Sequence, residues 1–222
     1  AVGAFAFGPG SSDAALLLTL APGAYSAQVT PARAGVAAGV ALVEVYDIEP
    51  SSPAQLVNLS TRARAGTGLA TLIAGFVVAG DGANRLLVRA AGPALSGFGV
   101  AGALADPRLE IFQGGTSVGY NDDWQGNTNA AQLAVVAHGV RAFDFPAGGK
   151  DAALLLPQSG AGYTVQVVGA PDGGGVALVE VYDSAEVRVS PPARVFDLVG
   201  FARVGGHGLA ALTGGGSATI PY

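Results

Sequence analysis

The sequence repeats itself, and the repeat is out of phase with its own ends. Val2-Gly-Ala-Phe-Ala-Phe7 returns as Val140-Arg-Ala-Phe-Asp-Phe145, and Asp13-Ala-Ala-Leu-Leu-Leu18 as Asp151-Ala-Ala-Leu-Leu-Leu156, each 138 residues on. Tyr25 and Gln28 find Tyr163 and Gln166 at the same spacing. Val40-Ala-Leu-Val-Glu-Val-Tyr-Asp47 then recurs unchanged as Val176 to Asp183, 136 residues on, so one loop has lost two residues. A fainter match lies at the other end. Pro53-Ala-Gln-Leu-Val-Asn-Leu59 resembles Pro192-Ala-Arg-Val-Phe-Asp-Leu198, and Ala63-Arg-Ala-Gly66 resembles Ala202-Arg-Val-Gly205, 139 residues apart. An identity of eight residues inside a longer aligned block is a duplication signature, and such repeats set the architecture before any local reading does. The expected organisation is a C-terminal part of a domain (1–52), one whole domain (53–183), and an N-terminal part of the same domain (184–222). The counterpart of roughly 84–138 is missing from both flanks.

The local pattern is β. Leu86-Leu-Val-Arg-Ala90, Arg108-Leu-Glu-Ile-Phe112, Tyr163-Thr-Val-Gln-Val-Val168 and Val176-Ala-Leu-Val-Glu-Val-Tyr182 are short runs rich in Val, Leu and aromatics. Gly92-Pro93, Gly114-Gly115, Gly148-Gly149 and Pro171-Asp-Gly-Gly-Gly175 bound them with turn chemistry. Strands at this spacing predict an all-β fold, a β-sandwich or jelly roll, with a single helical stretch over 129–138.

Composition narrows what such a fold does. Only 12% of residues are charged, about half the usual share, and mean hydropathy is +0.45. The longest apolar stretch, Gly68 to Gly80, has thirteen residues, short of the roughly 20 that a spanning helix needs. A chain this apolar and this poor in charge is expected to bury a large interface. A net charge of −5 with eleven scattered basic residues argues against nucleic acid. There is no Cys, hence no disulfide framework and no thiolate chemistry. There is also no Met, from which a start by proteolytic cleavage is expected, and the Gly-, Ser-, Thr- and Pro-rich β-pattern suits export to the cell surface or beyond.

The central unit resembles a β-sandwich domain repeated in large exported proteins of Verrucomicrobia-type bacteria. The resemblance rests on Leu56-Val-Asn-Leu-Ser-Thr-Arg62, Gly66-Thr-Gly68, Leu72-Ile-Ala-Gly-Phe76, Leu87-Val-Arg-Ala-Ala-Gly-Pro93, Ala105-Asp-Pro-Arg-Leu-Glu110, Asn121-Asp-Asp-Trp124 and Gly175-Val-Ala-Leu-Val-Glu-Val-Tyr182. The stretch from Asp106 to Asp123 is similar, more distantly, to bacterial prepeptidase C-terminal domains. The resemblance implies an accessory, adhesive or structural module without catalysis. The chain departs from that pattern by starting and ending inside the domain.

The two partial copies are complementary, one carrying late strands and the other early ones. Neither has the area to fold alone, and each offers strand edges and an apolar face. Joined between neighbouring chains they make a head-to-tail homopolymer by strand addition; joined within one chain they make a closed monomer; a third arrangement is a piece of a tandem array. The expectation is a non-enzymatic subunit of an extracellular filament, with Phe5, Phe7, Leu16, Leu18, Tyr25, Val43, Glu44, Val45, Tyr46, Val195, Phe196, Leu198 and Arg203 at the assembly interface. The alternative is a carbohydrate- or surface-binding module of a larger exported protein.

Other candidates are weaker. Asp106, Asn121, Asp122 and Asp123 gather oxygen ligands of the kind Ca²⁺ prefers, but their spacing is not a calcium loop, and a polar turn explains them as well. No cofactor is expected otherwise. Trp124 reads as a core anchor or a sugar-stacking platform. Glu44 and Glu180 sit in identical apolar strands and need partners if buried; the recurring Arg64 and Arg203 are the expected ones, Glu180 with Arg64 and Glu44 with Arg203. Asn58-Leu-Ser60 is a formal glycosylation sequon of a kind common by chance. His138 and His207, the only two His, lack the surroundings of a catalytic or metal site.

Overall fold

A computed structural model of the chain describes residues 3–33, 35, 39–49, 54–79, 84–158, 160–169 and 173–184, together with the backbone of three further strands at 194–204, 208–214 and 218–219. In chain order the elements are β1 (Gly23–Val29), β2 (Gly39–Val45), β3 (Asn58–Ala65), β4 (Leu72–Ala79), β5 (Asn84–Ala91), β6 (Arg108–Gln113), β7 (Thr116–Asn121), the helix α1 (Ala130–Gly139), β8 (Ala152–Gln158), β9 (Ala161–Val168), β10 (Gly175–Asp183), β11 (Arg194–Val204), β12 (Gly208–Gly214) and β13 (Ala218–Thr219). They build two sheets, ordered β13-β1-β12-β3-β10-β5-β8 and β2-β11-β4-β9-β6-β7. Pairing is antiparallel except for the short β1–β13 contact. The all-β sandwich expected from the strand pattern is the fold found, and the helix expected over 129–138 runs from 130 to 139. No helix among the described residues is long and apolar enough to cross a membrane.

The core follows from side chains alternating across each strand. Leu72, Ala74, Phe76 and Val78 of β4, and Tyr163, Val165 and Val167 of β9, turn one buried row inward. Leu86, Val88 and Ala90 of β5 and Ala177, Val179 and Val181 of β10 meet them from the other sheet. Phe76 and Tyr163 are direct cross-strand partners, and their rings stack 5.3 Å apart. The opposite face of β5, β8 and β10 is covered as well: Leu87, Ala153 and Tyr182 pack against Leu133, Val136 and Ala142. α1 and the segment that follows it thus add a third layer over one end of the sandwich.

The flanking copies enter the same two sheets. β11 lies between β2 and β4, and β12 between β1 and β3. Their registers reproduce those of the complete copy. β10 sets Val176 against Arg64 and Val181 against Leu59; β2, its duplicate, sets Val40 against Arg203 and Val45 against Leu198. β9 sets Tyr163 against Phe76 and Gln166 against Ile73; β1 sets Tyr25 against Leu212 and Gln28 against Leu209. β12 is therefore the counterpart of β4, a match too faint to see in sequence. The ladders that join the copies agree too: Ile73 faces Phe201 and Ala74 faces Gly200, while their counterparts Leu209 and Ala210 face Arg62 and Thr61. Under the duplication, β1-β12-β3-β10 maps onto β9-β4-β11-β2, so each sheet holds half of each copy.

One glycine separates the copies experimentally. A Cβ on Gly175 would lie 2.6 Å from the backbone of Leu104, because the 102–104 loop bonds onto β10 through Leu104 N to Val176 O and Val176 N to Gly102 O, both 2.8 Å. Its duplicate Gly39 has open space at the same position. Gly175→Ala is expected to cost about 1–3 kcal/mol by overpacking, and Gly39→Ala less than about 0.5 kcal/mol, as read by urea unfolding of the two variants.

Candidate functional site

The most highly organised polar site lies on the outer face of β5 and β10. Leu86 and Val88 commit one face of β5 to the core, which turns Leu87 and Arg89 the other way. β5 is an interior strand between β10 and β8, so Arg89 is 1% exposed. It is the direct cross-strand partner of Glu180, and its Nε lies 3.3 Å from Glu180 Oε2. The Tyr182 hydroxyl donates to Glu180 Oε1 at 2.7 Å. Phe143 and Phe145 close over the guanidinium, with ring centroids 4.5 and 3.9 Å from its carbon and the two rings edge to face 5.8 Å apart. A guanidinium is weakly hydrated and flat enough to lie on aromatic faces, which a lysine ammonium is not.

The turn after β5 is held by the same cluster. Asp151, fully buried, accepts through Oδ1 from the backbone N–H of Gly92 at 2.7 Å and of Ala94 at 3.1 Å. Burial pushes the Arg89 guanidinium below its ordinary value, and the Glu180 carboxylate draws it back up. Burial pushes Glu180 upward, with Arg89 and the Tyr182 hydroxyl opposing. Tyr182 is pushed up chiefly by burial and then by Glu180, so its hydroxyl stays a donor. Removing one member leaves the other charge buried without compensation, which costs far more than the pair contributes.

A cleft of about 180 Å³ opens beside this junction, lined by Leu87, Arg89, Trp124, Leu133, Phe143 and Phe145 among others. Trp124 packs edge to face on Phe145, 6.4 Å between centroids, its backbone N–H donates to Asp151 O at 2.8 Å and its indole N–H to Pro146 O at 3.4 Å. Half-buried, it ties the third layer to the start of β8 and lines the cleft.

The acidic turn is partly held by its own side chains, and Asp106, Asp122 and Asp123 each keep one buried carboxylate oxygen without a hydrogen-bond partner. Asn121 donates to Asp123 O and accepts from Ala153 N–H, both 2.9 Å. Asp122 lies 3.5 Å from Arg108 and Asp123 2.8 Å from Lys150, and Asp123 raises Lys150 by hydrogen bond and charge. Among the described residues no group of acids and His is placed to hold a metal, Asp106 included. The Asn58 side chain is buried and donates to Val181 O at 3.1 Å, which argues against the sequon as a modification site. His138 is exposed at the end of α1, and His207 lies outside the described residues.

The expected Glu–Arg pairing is corrected in the complete copy. Arg64 is exposed and faces Val176; the cation of Glu180 is Arg89. Repetition pointed to Arg64 because it recurs, whereas Arg89 lies in the segment present only once. A second arginine inside an apolar strand, Leu-Leu-Val-Arg, was the usable signal. In the other copy Glu44 faces Val199 and Arg203 faces Val40, with the Arg203 side chain outside the described residues. Of the remaining interface candidates, Tyr25, Val43, Val45 and Tyr46 are half-buried on or beside the β1 and β2 ladders, and Phe5, Phe7, Leu16 and Leu18 are exposed in a segment without strands. Val195 and Phe196 face Val78 and Val77 of β4, and Leu198 faces Val45; nothing beyond backbone is described for these three.

Comparisons with protein-family models, curated proteins and solved structures return no match to this chain. Arg89→Ala is expected to destabilise by about 3–5 kcal/mol, Arg89→Met combined with Glu180→Leu by much less than that single change, and Arg64→Ala by less than about 0.5 kcal/mol. Denaturant titration of the three variants against the parent chain checks this order.

Proposed function

We propose that this chain is a non-enzymatic structural subunit of an extracellular filament or surface polymer, built head to tail by partial β-domains that complete one another between neighbouring chains. The observation that carries the reading is the register of the flanks. β2 on β11 and β1 on β12 repeat, residue for residue, the pairings of β10 on β3 and β9 on β4. A mating surface that reproduces the ladder of a complete domain is specific. It makes the same contacts whether the donor strands belong to the same chain or the next, which is the condition for strand exchange. Exchange between chains is heterologous and does not close, so it propagates.

Surface chemistry supports the same reading. Leu16, Leu17, Leu18 and Leu20 are 69, 82, 50 and 44% exposed, apolar area that a polymer has reason to cover. The buried ionisable groups Arg89, Glu180 and Tyr182 are engaged with one another, in keeping with a structural role. The low charge and the exported repeat domains that the chain resembles point the same way.

The purified chain is expected to give filaments or very large species in size-exclusion chromatography and negative-stain microscopy as concentration rises. A version lacking 1–47 is expected to give none. A monomer from the full chain at every concentration would overturn the polymer reading.

A further inference from the structure

Several residues of the junction around Arg89 recur in the N-terminal copy of the duplication. Each residue that receives Arg89 and the turn after it recurs in the N-terminal copy. Glu180 and Tyr182 return as Glu44 and Tyr46, Phe143 and Phe145 as Phe5 and Phe7, and Asp151 as Asp13. Among the described strands none stands beside β2 where β5 stands beside β10. We propose that the N-terminal copy is a receptor for an extended strand of β5 pattern, Leu-Leu-Val-Arg-Ala-Ala-Gly-Pro, whose arginine seats against Glu44.

Three observations carry this. Two local pairs of the junction recur: Tyr46 donates to Glu44 Oε1 at 2.9 Å, as Tyr182 does to Glu180 at 2.7 Å, and Phe5 and Phe7 meet edge to face at 6.2 Å and 72°, as Phe143 and Phe145 do at 5.8 Å and 65°. Next, the place for the strand is open. β10 has β3 on one side and β5 on the other, whereas β2 has β11 on one side and ends its sheet among the described strands. The incoming arginine would face Glu44 directly, because Arg89 faces Glu180. Among the described residues no cation stands within ion-pair distance of Glu44.

Finally, the segment that would close the other side lacks its partner. Ala152 to Gln158 forms β8 by pairing with β5, and Ala153 and Leu154 are buried there. The duplicates Ala14 to Leu20 form no strand, and Leu16, the counterpart of Leu154, is 69% exposed. Asp13 bonds only its own turn, through Ser11, where Asp151 clamps Gly92 and Ala94. One strand with one arginine would satisfy a sheet edge, a carboxylate, two rings and a leucine run together. Main-chain bonds would supply affinity and the arginine selectivity, as in other strand-addition sites. The proposal holds whether the flanking pieces mate within one chain or between chains, and so goes beyond the assembly reading.

The test is fluorescence anisotropy of a labelled peptide of residues 84–94 titrated with the full chain at a concentration below any assembly seen by microscopy. Saturable binding is expected, weakened about tenfold or more by Arg89→Ala in the peptide, the loss typical of a hydrogen bond to a charged group. Glu44→Arg in the chain is expected to abolish binding of the parent peptide and to restore it for a peptide carrying Arg89→Glu. Absence of binding, binding indifferent to the peptide arginine, or failure of the charge exchange to restore it would each overturn the proposal. Circular dichroism of the Glu44→Arg chain confirms that its fold is intact.

Discussion

The ladders β3–β12 and β4–β11 are the contacts on which the rest of this structure depends, because they alone carry the sheets from one copy into the other. A strand pairs by backbone bonds indifferent to sequence, but its side chains alternate with a period of two. A slip of one residue would send Leu72, Ala74 and Phe76 outward and Ile73, Gly75 and Val77 inward. The registers on both sides of the seam are therefore not free to differ. That the duplicated strands keep them, Ile73 on Phe201 as Leu209 on Arg62, is what a shared burial pattern enforces.

Within that frame the buried arginine is an expensive feature. Taking a guanidinium and a carboxylate out of water costs several kcal/mol per ion, and their attraction roughly offsets it. An apolar pair of the same volume would serve stability as well. What the ion pair adds is discrimination: Arg89 opposite Glu180, roofed by Phe143 and Phe145, has its charge paired in one register and left bare and buried in any other. The Asp151 clamp on Gly92 and Ala94 fixes the same register from the turn. A protein built of near-identical strands needs such a marker, since the apolar pattern alone would let one strand take another's place.

The low charge and high hydropathy fit this architecture. The complete copy is covered on both faces over β5, β8 and β10, by the second sheet and by the α1 layer. The partial copy lacks that cover, and it is there that Phe5, Leu16, Leu17 and Leu18 remain exposed. Apolar residues conserved in kind between two copies, yet buried or half-buried in one and bare in the other, mark a surface whose packing is incomplete.

Sequence alone determined the fold class, strands such as β6, β9 and β10, the helix α1, and the duplication with its missing segment. Those features are written in local periodicity and in identity, which need no third dimension. The tertiary structure decided who meets whom. It replaced Arg64 with Arg89 as the partner of Glu180, matched β12 to β4 where identity had faded, and threaded the two copies through both sheets. Such pairings join residues about 90 to 190 positions apart, and the free energy that selects them comes from burial and from the ladders on either side of a strand. Neither is visible until the neighbouring strand is in place.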